Sequence, residues 1–179
     1  MTTGQVDNVW LITGIPGAGE SSVSRELARR MESSVHVEAD VLRQMVESGY
    51  MDPGDEPITD SDAQLLLGAR SAARVAKTYA AGGFTAIIDD VVLLPQLSVY
   101  RTELADVTLR LVVLAPPVEV AIERDASRAE QSLGGRFAYL DSEFRTQMPG
   151  IGLWIDSADL SIVQTVDHLL KDAGSAVVG

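Results

Sequence analysis

The sequence predicts an α/β fold in which a doubly wound, five-stranded parallel sheet carries helices on both faces. Short apolar runs alternate along the chain with segments of helical periodicity, which is typical of β-α units around a parallel sheet. The chain has 179 residues, of which 46% are hydrophobic and 22% charged, values that fit one globular domain. We assign that domain to residues 1–179.

Five apolar runs are the predicted strands. The first, VWLIT at residues 9–13, is apolar up to its last position, as expected of a buried strand. The third, FTAIID, ends on a carboxylate. In chain order the strands lie at residues 9–13, 35–39, 84–89, 109–115 and 152–156.

Four longer segments are predicted helices. In the first, Val23, Leu27 and Met31 recur every four residues and therefore share one face. The second ends at a glycine pair, and the third begins after Pro116 and Pro117. The helices lie at residues 21–31, 62–83, 118–131 and 160–174.

Two segments interrupt the alternation. Residues 48–61 are rich in Gly, Pro and Asp and are predicted to be a loop, and residues 131–139 contain a glycine pair. Insertions at the strand ends of a doubly wound sheet are where ligands usually bind. The alternative is that both segments are plain connections.

Charge and composition exclude several classes of function. The net charge of −12 disfavours binding to the phosphate backbone of nucleic acid. The chain has no cysteine, and its two histidines lack the spacing of metal ligands. It begins without the basic and apolar regions of a signal peptide, and no apolar run approaches the ~18 residues that span a bilayer. We expect a cytoplasmic protein without nucleic-acid or membrane partners.

A glycine-rich stretch follows the first predicted strand and precedes the first predicted helix. Its glycines let the backbone approach an anion closely, and the amides and dipole of the helix start favour negative charge. We predict a cradle for nucleotide phosphates, with the Ser21 hydroxyl at Mg²⁺. The alternative is a chance glycine pattern. The stretch consists of Gly14, Ile15, Pro16, Gly17, Ala18, Gly19, Glu20, Ser21 and Ser22.

Carboxylates follow the next two strands. Asp89 and Asp90 end the third strand, where a hard cation bound to phosphates takes oxygen ligands, although such residues also cap turns. Asp40 follows the second strand and opens a helix, with Arg43 one turn on. Asp40 could accept the proton of an attacking hydroxyl, and Arg43 could hold substrate or phosphate. The alternative for Asp40 is a helix N-cap.

Three arginines follow the fourth strand. Arg124 and Arg128 are four residues apart and share a helix face, and Arg136 follows the glycine pair. Arginines on a small lid can neutralise the charge of a phosphoryl group in transfer. The alternative is that they are solvated and pair with neighbouring acidic residues.

The chain resembles the P-loop small-molecule kinases related to chloramphenicol phosphotransferase, and more distantly zeta toxins and adenylylsulfate kinase. The resemblance rests on GIPGAGESS, VEADVLRQM, AIIDDVVL, LVVLAPPVEVAIERDASR and GGRFAY, which follow in family order over nearly the whole chain. It implies a P-loop NTPase fold, ATP and Mg²⁺ as cofactors, and a small hydroxylated substrate as acceptor. It also implies Asp40 as base, Ser21 and one of Asp89 and Asp90 near magnesium, and a lid bearing arginines 124, 128 and 136.

Glu20 departs from the family pattern, which places a lysine at this Walker A position. Two unit charges ~4 Å apart interact by ~4 kcal/mol at an effective dielectric near 20, so repulsion in place of attraction weakens phosphate binding or transfer. Solvent, or rotation of Glu20 away from the site, would soften the effect. The only lysines, Lys77 and Lys171, lie in predicted helices far along the chain, so compensation would come from arginine.

Three functions follow for this chain. The first is an ATP-dependent phosphotransferase acting on a hydroxyl group, impaired by Glu20. The second is a non-catalytic module that binds a nucleotide or another ligand. The third is an NTP hydrolase without an acceptor.

Overall fold

The computed structural model describes residues 8–127 and 138–178. Five strands form one parallel sheet, so the predicted sheet and all five predicted strands are confirmed. The strands are β1 (Asn8–Gly14), β2 (Ser34–Glu38), β3 (Thr85–Asp89), β4 (Thr108–Leu114) and β5 (Leu153–Ile155).

The strand order is β2-β3-β1-β4-β5, which places β1 at the centre of the sheet. The chain leaves β1 for the far strand β2, returns to β3, and then crosses to β4 on the other side. The direction of winding therefore reverses beside β1, and in doubly wound sheets ligands bind at such a reversal, beyond the carboxyl ends of the strands. The middle residues of β1, β3 and β4 are fully buried, as strands covered on both faces should be.

Helices cover both faces of the sheet. Helices α1 and α7 pack together, and α3 packs with α4 and lies against β1, β2 and β3. The helices are α1 (Glu20–Arg30), α2 (Ala39–Arg43), α3 (Ile58–Ala81), α4 (Leu94–Glu103), α5 (Val118–Ala126), α6 (Tyr139–Gln147) and α7 (Ile162–Lys171), followed by a 3₁₀ turn at Ala173–Ala176.

Helix α3 approaches the sheet closely because its buried side is made of small residues. Ala69, Ala72, Ala73, Ala76 and Ala80 are all buried against the core. The helix begins at Ile58, so the prediction that residues 48–61 form a loop is wrong for its last four residues. Prolines and aspartates are tolerated in the first turn of a helix, so the composition of a helix start can resemble that of a loop.

Helices α4 and α6 are absent from the prediction. Only Leu97 and Tyr100 of α4 are buried, so the helix shows little apolar periodicity. The Gln96 side chain accepts a hydrogen bond from the Leu93 amide at 3.3 Å and holds the start of α4. The last predicted helix, residues 160–174, begins two residues too early and ends three residues too late. Ser161 caps α7 through Gln164, and the helix ends at Lys171. Among the described residues, no helix combines the length and the apolar character needed to cross a membrane.

Candidate functional site

The carboxyl ends of β1 and β3 lie side by side. Ile12 pairs with Asp89, and the Asp90 amide donates to the Ile12 carbonyl at 3.2 Å. The Thr13 hydroxyl, fully buried, accepts a hydrogen bond from the Val92 amide at 2.9 Å. These bonds bring the segment after β1 and the carboxylates after β3 to the same edge of the sheet.

The glycine-rich stretch connects β1 to α1 and packs against α5. Gly17 has a φ of 91°, and a Cβ atom at this residue would lie 2.0 Å from the Ala121 carbonyl oxygen. Gly19 precedes α1 with a φ of 106°, and a Cβ atom there would meet no atom within 4 Å. Gly17 is therefore required by both conformation and space, and Gly19 by conformation alone.

The Glu20 side chain folds back onto this loop. Its Oε2 atom accepts a hydrogen bond from the Gly19 amide at 3.1 Å. Its carboxyl carbon lies 3.4 Å from the position that a Cβ atom of Gly14 would take. The carboxylate thus binds a loop amide that an incoming phosphate oxygen could use, rather than rotating away. The Lys77 ammonium is engaged elsewhere, where it contacts Asp106 at 2.6 Å and the Glu103 carbonyl at 3.2 Å.

Asp89 is buried beside a histidine of the neighbouring strand. Its Oδ2 atom lies 3.1 Å from His36 Nε2, and His36 Nδ1 lies 3.7 Å from a Glu38 oxygen. Arg25 in turn contacts Glu38 at 3.3 Å. The imidazole therefore fixes the orientation of Asp89, a role that the sequence analysis did not assign to His36. The strand register of β2 and β3 would have been needed to find it.

Asp90 meets a residue of the unforeseen helix α4. The hydroxyl of the fully buried Tyr100 donates to Asp90 Oδ2 at 2.8 Å. Desolvation raises the pKa of Asp90 to about 7, opposed by the Tyr100 hydrogen bond and the charge of Arg43 and supported by the charge of Asp40. Burial, and then the charge of Asp90, raise the pKa of Tyr100, so its hydroxyl acts as the donor. This site therefore holds a carboxyl group whose pKa lies near neutral pH.

Asp40 and Arg43 form an ion pair across the short helix α2. The helix begins at Ala39 with Glu38 at its N-cap, so Asp40 is not the cap and its side chain is 65% exposed. Glu38, the last residue of β2, pairs with Asp89, so α2 begins at the same edge of the sheet as the carboxylates at the end of β3. The charge of Arg43 lowers the pKa of Asp90 and the charge of Asp40 raises it. The structure thus brings Asp40, Arg43 and Asp90 together.

Arg124 is bound at the far side of α5. Its guanidinium donates to the carbonyls of Ser157 at 2.8 Å and Ala158 at 2.9 Å, which joins α5 to the segment after β5. Arg128 and Arg136, the other predicted lid arginines, lie outside the described residues. A contact between any of the three and a phosphate stays a prediction.

The residues at the loop and the end of β3 suit a magnesium ion. The described residues include no group of three or more His, Cys, Asp and Glu side chains arranged to hold a metal. Magnesium needs no such cage, since it binds through one or two carboxylates, substrate phosphates and water. The exposed hydroxyl of Ser21 and the carboxylates of Asp89 and Asp90 are hard oxygen donors of this kind.

Comparisons with known proteins bear on this arrangement. A model described as an AAA domain matches residues 9–148. A search of curated proteins found no match.

Three solved kinases have a similar structure. An APS kinase of Mycobacterium tuberculosis, solved with AMPPNP and APS, is 21% identical over 94% of this chain and 98% of its own, with a TM-score of 0.71. A sugar kinase of a Janibacter species is 18% identical over 94% and 95%, with a TM-score of 0.67. A gluconokinase of Sinorhizobium meliloti is 19% identical over 97% and 94%, with a TM-score of 0.62. At these identities the likeness shows the fold, and the narrower resemblance to chloramphenicol phosphotransferases stays a prediction.

Proposed function

This chain belongs to the AAA domain family, and from that premise we propose that it is an ATP-dependent phosphotransferase acting on a hydroxyl group of a small molecule. The proposal places it in the cytoplasm. The observation that carries it is the common edge of the sheet, where the glycine loop, the Asp89–Asp90 pair and the helix with the Asp40–Arg43 pair follow neighbouring strands. The similar solved structures are kinases of small molecules, which supports the same class of reaction.

Each group has a role in the proposed transfer. The loop amides hold the β-phosphate, and Asp40 accepts the proton of the acceptor hydroxyl. The hydroxyl oxygen forms a bond to the γ-phosphorus as the bond from that phosphorus to the β–γ bridging oxygen breaks, which leaves ADP and a phosphorylated acceptor. Arg43 and the lid arginines offset the developing charge. Bound Mg²⁺, held by Ser21 and one of Asp89 and Asp90, would neutralise phosphate charge.

Glu20 is proposed to impair this activity in two ways. Its carboxylate occupies the Gly19 amide, so a phosphate must displace it to gain that hydrogen bond. Its charge also repels the phosphate, by ~4 kcal/mol for unit charges at ~4 Å and an effective dielectric near 20. A Lys at this position would supply attraction instead and would leave the amide open.

Titration calorimetry with Mg-ATP on the chain, on Glu20→Lys and on Glu20→Gln tests both effects. We expect Glu20→Lys to bind at least tenfold more tightly than the unchanged chain. Glu20→Gln removes the charge and retains a group that can occupy the Gly19 amide, so an intermediate affinity separates repulsion from occupancy. Absence of binding by all three proteins would remove the basis of the kinase proposal.

A second candidate is a non-catalytic binding module, and the position of the Glu20 carboxylate on the loop favours it. Asp40→Asn distinguishes the two functions. A phosphotransferase with Asp40 as base should lose ~10²- to 10⁴-fold in rate, whereas a binding module should keep its ligand affinity. Phosphate release that does not depend on an added hydroxyl compound would instead indicate an NTP hydrolase.

A further inference from the structure

An open groove lies between α2, the connection that follows it, and α3. Its interior volume is about 100 Å³, below the ~300–1,000 Å³ of drug-sized sites, so it suits a single small group. Most of its lining is aliphatic or aromatic. The apolar lining residues are Leu42, Val46, Tyr50, Met51, Leu65 and Leu67.

The groove is held in shape by a side chain of α3. Gln64 accepts a hydrogen bond from the Met51 amide at 3.0 Å and donates one to the Gly49 carbonyl at 2.6 Å. These two bonds fasten the connection after α2 to the second turn of α3. The wall that carries Tyr50 and Met51 is therefore fixed before any ligand arrives.

Arg43 forms the end of the groove nearest the reaction centre. A Cβ atom at Gly68 would lie 2.7 Å from Arg43 Cγ and 2.8 Å from Arg43 Cδ, so the arginine stem lies flat against α3 only because residue 68 is glycine. The guanidinium then reaches Asp40. The groove is thus lined by the residue that pairs with the proposed base.

The charges around the groove are unfavourable for an anion. Among the described residues, Arg43 is the only cationic group in the lining, and Asp40 already pairs with it. Burial raises the pKa of Tyr50, and the charges of Asp52 and Asp40 raise it further against the opposing charge of Arg43. A phosphorylated or carboxylated ligand would find no uncompensated cation among these described residues, and its charge would be desolvated against aliphatic side chains.

We propose that this groove is the acceptor site, and that it takes a neutral or cationic hydroxyl compound whose body is an apolar group about the size of one ring. The identification of the groove as an acceptor site rests on the proposed function. The binding of such a compound does not itself require phosphoryl transfer. The hydroxyl lies at the Arg43 end, within reach of Asp40, and the apolar body packs along Leu65 and Leu67.

The test uses three probes that share a phenyl ring and a hydroxyl and differ in charge: neutral 2-phenylethanol, cationic phenylglycinol and anionic mandelate. Each is titrated into the ¹⁵N-labelled chain, and binding is followed at the amides of Met51, Gly68 and Ser71. We expect saturable shifts at these amides for the neutral and cationic probes. Mandelate should bind at least tenfold more weakly.

A matched pair of variants locates the binding. Leu67 is 55% exposed in the groove and Val163 is 51% exposed on α7, so Leu67→Asp and Val163→Asp make similar changes at exposed sites. Leu67→Asp should weaken 2-phenylethanol about tenfold, a loss of ~1.4 kcal/mol, and should weaken phenylglycinol less. Val163→Asp should leave both affinities unchanged.

The proposal is overturned if no probe shifts the groove amides, if mandelate binds as tightly as 2-phenylethanol, or if Val163→Asp weakens binding as much as Leu67→Asp. A parallel titration with Mg-ATP, followed at Gly14 and Gly19 in the Glu20→Lys variant, reports on the proposed function separately. Nucleotide binding without shifts at the groove amides would refute the acceptor site alone. Probe binding without nucleotide-induced shifts at the loop amides would refute the phosphotransferase and leave the groove as a ligand site.

Discussion

Tyr100 and Asp90 are joined by a hydrogen bond of 2.8 Å that links helix α4 to the end of strand β3. The tyrosine is fully buried, and the carboxyl group it contacts has its pKa raised by desolvation to about 7. The hydroxyl lowers that pKa, and without it the carboxylate would be still harder to ionise. Burial and the Tyr100 hydroxyl thus act on the pKa of Asp90 in opposite directions.

Asp90→Asn should alter how stability depends on pH. The folded pKa of about 7 lies above the ordinary value of 3.8, so the stability that the Asp90 carboxyl contributes is complete below about pH 4 and is lost as pH rises through 7. The rise corresponds to as much as ~4 kcal/mol. In magnesium-free buffer, the free energy of unfolding of Asp90→Asn should therefore increase relative to that of the unchanged chain between pH 5 and pH 8. Urea unfolding of both proteins measures this, and parallel pH profiles would contradict it.

Tyr100→Phe should shift the titration of Asp90 further upward. The ring remains to fill the core, while the carboxylate loses a hydrogen bond to its charged form, worth ~1.5–3 kcal/mol. We expect the Asp90 pKa to exceed its present value of about 7. Carbon-13 NMR of the aspartate carboxyls across the pH range provides the measurement. A lower Asp90 pKa in Tyr100→Phe would show that the hydroxyl does not stabilise the charge.

Gly17→Ala and Gly19→Ala should differ sharply in stability. Both residues have positive φ values, but only a Cβ at Gly17 would overlap another atom, the Ala121 carbonyl oxygen at 2.0 Å. Gly19→Ala should cost ~1 kcal/mol for backbone strain, and Gly17→Ala should cost several times as much because α5 must also move. Thermal or urea unfolding compares them. Equal losses would mean that the loop does not pack against α5 in solution.

Gly68→Ala should move Arg43 with little change in stability. Alanine favours the helix by ~1 kcal/mol relative to glycine, which offsets the cost of displacing the arginine stem. The Arg43 guanidinium should then separate from Asp40, visible as a changed ¹⁵Nε signal of Arg43. Ser71→Ala, one turn along α3, is the control and should leave that signal in place. An unchanged Arg43 signal in Gly68→Ala would contradict the contact.

The fold was largely predictable because its central strands are mostly apolar runs. A strand buried on both faces needs apolar side chains at most positions, so VWLIT and the LVVLA that follows Arg110 can be recognised from the local sequence alone. Helix α4 was missed because it buries only Leu97 and Tyr100, which leaves too weak a periodicity to detect. Tertiary packing, and not the local sequence, decides that segment.

The site could be predicted only where its residues follow strands of the same parallel sheet, because the carboxyl ends of these strands lie at one edge. Asp89, Asp90 and the glycine loop follow strands of one parallel sheet, so their proximity could be inferred. The contact of His36 with Asp89 depends on strand register, and that of Tyr100 with Asp90 depends on the missed helix. The direction of the Glu20 side chain depends on a single hydrogen bond that no pattern encodes.

The close contact between Gly17 and α5 gives the loop a rigid connection to the opposite edge of the sheet. Helix α5 carries Ala121 against the loop and Arg124 against the carbonyls after β5. A close-packed interior transmits displacement, so we expect a loop that shifts to receive a ligand to displace α5 and, through Arg124, the Ser157–Ala158 segment. A fluorophore placed on that segment should then report loop occupancy without touching the site.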